Sequence, residues 1–264
     1  MRLTVFGATG PTGRRLVDQA VEAGHEVTAV TRHPIPTGSA GFSAVSAGSS
    51  AVSAGSGVDP SGPGVAARRA GLTFVTGDVL DPDAVDRAVA GSDAVLSSLG
   101  VPPTRRPVSV YSRGAANIVA AMHRHGVKRL VAVSSSVMDP AWRPTGEHFF
   151  NLVMDPLVNR RVARTAHDDM RRMEALVRAS DLDWTLARPS GLFDHPAVTR
   201  FQTAPDVADG LFTARPDLAA AMLAQLDDDR FVRRAMAVIT TDVRPGIARL
   251  IWQEARRSRG PAGA

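Results

Sequence analysis

The sequence contains no cysteine. It therefore offers no disulfide framework, no thiolate nucleophile and no zinc site built on thiolates, and we predict no metal site. The chain also lacks an apolar run long enough to span a bilayer, and Met1 and Arg2 lead directly into an apolar strand pattern without a signal sequence. We therefore expect a cytoplasmic protein with no membrane partner.

Lysine and tyrosine each occur once, as Lys128 and Tyr111, and tryptophan occurs three times. The formal net charge is nevertheless +5, because the chain is rich in arginine. These arginines are spread through the sequence, and no basic run is interleaved with aromatic residues as a nucleic-acid-binding surface would require. We attribute the arginine content to a GC-rich genome and predict no nucleic-acid partner.

The 264 residues have a globular composition, with 44% hydrophobic and 22% charged side chains. Short apolar strand patterns alternate five times with helical patterns along the first half of the chain. This alternation predicts an α/β fold, a Rossmann-type doubly wound parallel sheet with a small C-terminal substrate-side extension. We assign residues 1–243 to a single domain and residues 244–264 to a C-terminal helix and tail.

Residues 38–66 interrupt this pattern with a serine-, alanine- and glycine-rich composition. Within them, the heptad at residues 43–49 is repeated without change at residues 50–56. A perfect tandem copy of small residues is typical of a slippage insertion, and it offers too little apolar surface to offset the entropy of ordering. We predict that residues 38–66 are disordered.

A glycine-rich turn separates the first strand from the first helix, at Gly7-Ala8-Thr9-Gly10-Pro11-Thr12-Gly13. A strand, a glycine turn and a helix in this order form a phosphate-binding device, because amides at the helix start face the phosphates. Gly7 permits the turn, Gly10 allows close approach of a pyrophosphate, and Gly13 allows the helix to pack on the strand. The spacing is one residue longer than the usual dinucleotide fingerprint, so a glycine turn that binds nothing remains an alternative.

The end of the second strand carries Thr31 and Arg32. In a doubly wound sheet this position lies beside the adenosine ribose, where an acid would bind the hydroxyls of NAD. No acid is present there, and a guanidinium can pair with a 2′-phosphate. The sequence therefore favours NADP(H) over NAD(H), with an arginine that only solvates a loop as the alternative.

Four segments support a family resemblance. They are Gly7 to Gly13, Gly77-Asp78-Val79, Gly114 to Met122 and Ala187-Arg188-Pro189. Together they resemble the NAD(P)H-binding, NmrA-like branch of the atypical short-chain dehydrogenases/reductases, with the closest likeness to the biliverdin/flavin reductase B type. The resemblance covers most of Arg2 to Thr240 and excludes the serine-rich insertion.

The resemblance implies roles for individual residues. It assigns the pyrophosphate to Gly10–Gly13 and the 2′-phosphate to Arg32. It places the adenine near Asp78 and Val79, and the nicotinamide near Leu99 and Ser134-Ser135. Ser135 corresponds to the serine that this family offers to its substrate. The implied cofactor-binding residues are Gly7, Thr9, Gly10, Pro11, Thr12, Gly13, Arg32, Asp78, Val79, Leu99, Gly100, Ser134 and Pro189. The acidic pair Asp168-Asp169 also matches the family, and we interpret it first as a helix-terminus feature and second as a site.

The sequence departs from the superfamily at its proton donor. Such reductases usually pair a tyrosine with a lysine four residues on, which lowers the pKa of the phenol. Here Ala115 stands four residues after Tyr111, so that chemistry is absent. The family's histidine after the sixth strand is replaced by about Gly191. His195 is our candidate for the missing histidine, and a histidine that only forms a solvated turn is the alternative. His148 and His167 are further candidates, but the sequence favours neither of them over His195.

These observations predict an NADPH-dependent oxidoreductase that transfers hydride to a small conjugated acceptor such as a flavin, quinone or enone. Trp142, Phe149 and Phe150 either stack on the substrate or belong to the core. The alternatives are a non-catalytic NADP(H)-sensing regulator and an isomerase or lyase that reuses the fold. We expect a monomer or homodimer that binds a small-molecule substrate.

Overall fold

The computed structural model describes residues 1–35, 71–102, 104, 106–145 and 164–245, together with the backbone of residues 65–69. The helices are α1 (Pro11–Glu22), α2 (Pro82–Val89), α3 (Val110–His125), α4 (Arg164–Ala179) and α5 (Arg215–Ala224). The strands are β1 (Arg2–Phe6), β2 (Glu26–Thr31), β3 (Val65–Arg69), β4 (Leu72–Thr76), β5 (Ala94–Ser97), β6 (Arg129–Val133), β7 (Asp183–Pro189), β8 (Gly191–Phe193), β9 (Phe201–Pro205), β10 (Phe212–Ala214) and β11 (Arg234–Thr240).

Nine of these strands form one sheet in the order β3-β4-β2-β1-β5-β6-β7-β11-β9. The seven inner strands are parallel, whereas β3 and β9 run antiparallel at the two edges. The chain leaves β1 toward β2 on one side and later returns to β5 on the other side. This reversal opens a crevice at the carboxyl ends of β1 and β5, where doubly wound sheets bind ligands. The predicted Rossmann-type sheet is confirmed.

Helices cover both faces of the sheet because each has one apolar side. On one face, Leu16 and Val17 of α1 pack with Leu218 and Met222 of α5. On the other face, α2, α3 and α4 share a second cluster that includes Ile118. Removing such side chains from water stabilises the fold by about 1.5–3 kcal/mol for each large residue. The two clusters therefore hold the sheet between two layers of helices.

Local signals set several helix ends where the sequence predicts them. The Asp81 carboxylate accepts a hydrogen bond from the amide of Asp83 at 3.0 Å, with Pro82 at the first helical position of α2. Gly126 ends α3 in the left-handed conformation. Within the part of the chain that the structure describes, no helix combines the length and hydrophobicity needed to cross a membrane.

The sequence analysis did not predict four of the short strands. Three of them, β8, β9 and β10, lie between β7 and β11 in the chain, and β8 pairs with β10 in a separate small sheet. The fourth, β3, corrects the boundary of the predicted insertion, because Val65 and Ala66 already belong to this edge strand. The strand β3 pairs antiparallel with β4, with an irregularity in register between Val65 and Ala67. The rest of the predicted insertion, at residues 38–64, lies outside the described residues, as do Phe149, Phe150, His148 and the C-terminal helix.

Candidate cofactor and substrate site

The glycine turn connects β1 to α1 in very little space. Gly7 has φ = 76°, and a Cβ atom on it would lie 2.6 Å from the carbonyl oxygen of Ser98. A Cβ atom on Gly13 would lie 2.0 Å from the carbonyl oxygen of Gly7. These two positions therefore require glycine for the turn and for the close packing of α1 on β1. Both predicted roles are confirmed.

The N-terminus of α1 fits a phosphate group. Gly10 is the N-cap residue, its amide donates to the carbonyl oxygen of Gly7 at 3.0 Å, and it has no side chain that could cap the helix. Pro11 follows at the first helical position, and the amides of Thr12 and Gly13 belong to the first turn. Helix-start amides without a capping oxygen are hydrogen-bond donors that a phosphate can satisfy. The Arg14 guanidinium closes the other side of the turn, since its Nε donates to the carbonyl oxygen of Thr9 at 3.0 Å.

The end of β2 lies two strands away from β5 in the sheet order, beside β1. Thr31 is buried, and its hydroxyl donates to the carbonyl oxygen of His33 at 2.9 Å. Arg32 is exposed on the loop that follows. The amide of Gly77 donates to the carbonyl oxygen of Thr31 at 2.8 Å, which brings the end of β4 to the same edge. Asp78 is exposed next to it, and its carboxylate accepts from the amide of Leu80 at 2.9 Å.

Helix α3 brings Val79 and Leu99 together. A Cβ atom on Gly114 would lie 3.0 Å from Val79 Cγ2 and 3.2 Å from Leu99 Cδ1, so the helix approaches both side chains closely. The Asn117 amide donates to the carbonyl oxygen of Val79 at 2.9 Å. Gly100 is exposed after Leu99. These contacts give a structural reason for the Gly114 to Met122 motif, whose positions sequence reasoning used only for the resemblance.

Three serines follow β6 and differ in their surroundings. Ser134 is buried, and its hydroxyl donates to Glu174 Oε1 at 2.6 Å. Ser136 is also buried, and its hydroxyl donates to the carbonyl oxygen of Arg188 at 3.0 Å. Ser135 between them is half-buried with extended backbone, and its Oγ accepts from the amide of Val137 at 3.4 Å. Ser135 is therefore the serine of the three that is nearest to solvent at the carboxyl edge.

A buried ion pair lies beneath these serines and was not anticipated from the sequence. Arg188 on β7 donates from Nε to Glu174 Oε1 at 3.0 Å and from Nη2 to Glu174 Oε2 at 2.7 Å. Its Nη1 donates to Asp139 Oδ2 at 2.9 Å. Burial alone would lower the pKa of Arg188, but the hydrogen bonds and charges of Glu174 and Asp139 outweigh it and raise the pKa. A buried cation opposite two carboxylates stays charged.

The remaining predicted site residues lie on the β7 side. Pro189 is buried at the end of β7, opposite Val238 of β11. His195 lies beyond β8, half-buried, with its Nδ1 at 2.7 Å from the carbonyl oxygen of Ala197. Trp142 is buried, as a core residue would be. The amide of Thr145 nearby donates to Asp209 Oδ1 at 2.8 Å, and this bond lowers the pKa of Asp209.

Tyr111 and Lys128 occupy separate structural positions. Tyr111 is buried in the first turn of α3, and its hydroxyl accepts from the amide of Val101 at 3.2 Å. Burial raises the pKa of its phenol. Lys128 precedes the amino end of β6 and binds Asp181 at 3.0 Å on the exposed surface. The two side chains are therefore near opposite ends of α3.

Asp169 lies in α4 but caps the N-terminus of a different helix, α3. The helix-terminus interpretation therefore applies to Asp169, although not to the helix that contains it. Its carboxylate accepts from the amides of Tyr111 at 2.9 Å and Ser112 at 3.3 Å, and also from the Ser112 hydroxyl. Asp168 is exposed and pairs with Arg171 at 2.8 Å. The buried member of the pair thus joins α4 to the N-terminus of α3.

Comparisons with known proteins agree with this geometry. In sequence, the chain is 27% identical over 164 residues to a Bacillus subtilis protein named as an uncharacterized sugar epimerase, covering 61% of this chain and 69% of that protein. In structure, it resembles a short-chain dehydrogenase/reductase of Veillonella parvula in complex with NADP, with a TM-score of 0.65, 18% identity, and coverage of 91% and 95% of the two chains. It also resembles an oxidoreductase of Lactococcus lactis, with a TM-score of 0.65, 15% identity and 97% coverage of each chain.

The family model described as NAD(P)H-binding matches residues 59–229, which is more than half of the chain. The match begins before β3 and ends after α5, so it includes the ends of β4, β5, β6 and β7. The glycine turn precedes the matched region and is supported by its own geometry, since Gly7 and Gly13 leave no room for a side chain. The chain therefore belongs to the NAD(P)H-binding family, and its cofactor is a nicotinamide dinucleotide.

Proposed function

We propose that this protein is an NADPH-dependent reductase that transfers hydride to a small conjugated acceptor such as a flavin, quinone or enone. The observation that carries the proposal is that Tyr111, the only tyrosine of the sequence, is buried, accepts a hydrogen bond from the amide of Val101, and has Ala115 in place of a lysine four residues on. Conjugated acceptors take up hydride with little acid catalysis, so a site without a tyrosine–lysine pair suits them. The subfamily we propose is the NmrA-like branch, near the biliverdin/flavin reductase B type.

The cofactor is proposed to lie along the carboxyl edge of the sheet. Its pyrophosphate would bind the helix-start amides at Gly10–Gly13, and its adenine would lie against Asp78 and Val79. Arg32 is exposed where a 2′-phosphate would lie, and no carboxylate follows β2 to repel that group. This arrangement favours NADP(H). Ser134 would contribute through its backbone, because its hydroxyl donates to Glu174.

The protein's own contribution to the reaction is mainly orientation. The cofactor supplies the hydride when it is bound. Leu99, Gly100 and Pro189 would border the nicotinamide and exclude water from the transfer. Ser135 would donate a hydrogen bond to the negative charge that develops on the acceptor. His195 is the candidate for a second polar contact from the substrate side.

Steady-state NADPH oxidation with a panel of flavins, quinones and enones tests this function. We expect turnover with at least one acceptor and a higher kcat/KM with NADPH than with NADH. Ser135→Ala should reduce kcat by about tenfold or more, because a donor to the developing charge is lost. Ser180→Ala is the matched control, since the Ser180 hydroxyl donates to the carbonyl oxygen of Val177, away from this edge. Absence of turnover with every acceptor would reject the proposal.

A second candidate is an epimerase that uses the same cofactor. The name of the Bacillus subtilis relative favours it, since that protein is named as a sugar epimerase. Incubation with nucleotide sugars and oxidised cofactor, followed by chromatography, would detect an epimer without net oxidation. Such a product, together with no NADPH oxidation by the acceptor panel, would replace the reductase hypothesis.

The structural use of Tyr111 also favours a third candidate, a non-catalytic NADP(H) sensor. A sensor would bind the oxidised and reduced cofactors with equal affinity and would turn over none of the substrates. Calorimetric titration with both cofactor forms distinguishes it from the reductase. Turnover that is lost in Ser135→Ala would exclude it.

A further inference from the structure

The two serines that flank Ser135 are both anchored in the protein interior. Leu130 and Ala132 of β6 pack in the α3–α4 cluster, whereas Val131 packs in the α1–α5 cluster. Ser134 continues the first of these faces, and its hydroxyl donates to Glu174 of α4. Because neighbouring side chains of an extended backbone point to opposite faces, Ser135 is directed away from α4. Anchoring Ser134 therefore determines the direction of Ser135.

Arg188 holds the same loop at three points. It reaches Ser134 through Glu174, since Glu174 Oε1 accepts from both the Ser134 hydroxyl at 2.6 Å and Arg188 Nε at 3.0 Å. Its carbonyl oxygen accepts from the Ser136 hydroxyl at 3.0 Å. Its Nη1 donates to Asp139 at 2.9 Å. One residue of β7 thus fixes the start, the middle and the end of residues 134–139.

The pair formed by Arg188 and Glu174 is rigid enough for this role. Arg188 is 5% exposed and Glu174 is 6% exposed. Two parallel hydrogen bonds join the guanidinium to the carboxylate, and this geometry allows little movement of either group. Loss of Glu174 would leave the buried Arg188 with Asp139 as its one carboxylate partner, and loss of Arg188 would leave the buried Glu174 with Arg178 at 3.6 Å, so either change deprives a buried charge of its two-bond partner. The pair is therefore a fixed reference point beside the loop.

We propose that Arg188, acting with Glu174, is the positioning residue that sets the place and direction of Ser135 at the substrate edge. The role rests on the proposed function, in which Ser135 donates a hydrogen bond to the acceptor. Arg188 itself is covered by the loop and would not touch substrate. Its effect on the reaction passes through Ser134, Ser136 and Asp139.

The test uses variants that leave the buried Arg188–Glu174 pair intact. Ser134→Ala removes the first anchor. Asp139→Asn removes the charge at the last anchor and replaces one of the two carboxylate oxygens, which accept from Arg188 Nη1 and from the amide of Ala141, by an NH2 group that cannot accept. Ser180→Ala is the matched control, because it also deletes a buried serine hydroxyl with a 2.7 Å bond. The first readout is hydrogen–deuterium exchange of the amides of Val137, Met138 and Asp139, which bond within the loop at 3.4, 3.0 and 3.1 Å.

Faster exchange in this loop for Ser134→Ala and Asp139→Asn, with no change there for Ser180→Ala, supports the positioning role. Unchanged exchange in both variants overturns it, whatever the wild type does with acceptors. If wild-type protein turns over no acceptor, the proposed function fails while the exchange comparison still decides the positioning role.

The kinetic readout separates positioning from cofactor binding. With an acceptor in hand, Ser134→Ala should lower kcat by about tenfold or more at unchanged Kd for NADPH, since a small displacement of an orienting group has such effects. A raised Kd for NADPH at unchanged kcat would instead identify Ser134 as a cofactor contact and overturn the positioning role. An equal loss of kcat in Ser180→Ala would overturn it as well, because it would show a general loss of stability.

Discussion

Arg32 and Arg188 show two opposite uses of the same side chain. Arg32 is exposed after β2, where its charge is available to a ligand. Arg188 is buried within β7, beside α4, where its Nε, Nη1 and Nη2 atoms all donate to the carboxylates of Glu174 and Asp139. In a chain this rich in arginine, composition alone does not separate these roles. Their positions relative to the strands separate the two roles, because Arg32 follows the end of β2 and Arg188 lies within β7.

Replacing Arg32 by alanine should weaken NADPH binding by roughly 10- to 100-fold, since one charge-assisted contact to the 2′-phosphate is lost. NADH binding should change little, because NADH has no 2′-phosphate. Fluorescence titration with both cofactors measures the difference. Arg200→Ala is the control. The Arg200 side chain is 87% exposed, and it lies 3.7 Å from Asp242 in a part of the chain to which we assign no cofactor contact. Equal weakening for NADPH and NADH would assign Arg32 to a different role.

Tyr111 gives a prediction for stability at high pH. Its pKa in the folded protein is raised above the ordinary value of 10.0, chiefly by burial. The folded state therefore keeps the proton when the unfolded chain has already lost it, so stability is fully present below pH 10 and falls as the pH rises further. Because Tyr111 is the only tyrosine, Tyr111→Phe should remove the part of this decline that the phenol causes and leave a shallower dependence on pH. Urea unfolding between pH 8 and pH 11, a range of roughly one to two units around the phenol pKa, compares the two proteins.

At the scale of elements, the N-terminus of helix α3 is capped by a side chain of the neighbouring helix α4. Ser109 is its N-cap residue and makes no side-chain capping bond, whereas Asp169 of α4 accepts from two amides of the first turn. Asp169 is completely buried. The α3 helix in turn supports Val79 and Leu99 at the cofactor edge through Gly114. Asp169 therefore contributes to the candidate site through the placement of α3, whereas Asp168 does not contact this helix.

Replacing Asp169 by alanine should lower the free energy of unfolding by about 2–4 kcal/mol, because it leaves buried amides of α3 without an acceptor. Asp168→Ala is the matched control, and its exposed pair with Arg171 should contribute no more than about 0.5 kcal/mol. Urea denaturation of both variants measures the contrast. Similar losses in the two variants would contradict the capping role.

Secondary-structure elements with strong local sequence signals could be predicted. Elements that depend on tertiary contacts could not. The strands β1, β2, β5 and β6 of the parallel core are short segments rich in apolar residues, and α2 carries its cap in Asp81 and Pro82. By contrast, β8 and β10 have three residues each, too few for a period to be visible. The ion pair between Glu174 and Arg188 joins residues 14 positions apart on a helix and a strand, so only the packing of α4 on β7 reveals it.

At the scale of the molecule, the sheet order collects the candidate site on one edge. The glycine turn, Arg32, Leu99 and Ser135 follow four different strands, and the parallel direction of those strands brings their carboxyl ends together. The sequence predicted this edge because it needs only strand order and direction. It did not predict β8, β9 and β10, because these short strands depend on tertiary pairing.

A ligand that bridges this edge should stabilise the whole domain. With free NADPH at about 100 times its Kd, the free energy of unfolding should rise by about 2.7 kcal/mol. NADH at the same concentration should stabilise less, because it lacks the group that Arg32 is proposed to bind. Differential scanning calorimetry across a cofactor series measures the shift. An equal shift for both cofactors would remove the preference for NADP(H).

The packing of the glycine turn also determines which mutations the gene can tolerate. Every change in the first or second base of a glycine codon creates a stop codon or a residue with a Cβ atom. At Gly7 and Gly13 such an atom would meet backbone within 2.6 Å and 2.0 Å, so selection for folding alone leaves only silent changes at these codons. At Gly10 the nearest atom would lie at 3.2 Å, a contact that small shifts relieve. A mutational library sorted once for folding and once for cofactor binding would therefore show whether Gly10 is required by the ligand, in contrast to Gly7 and Gly13, which the fold requires.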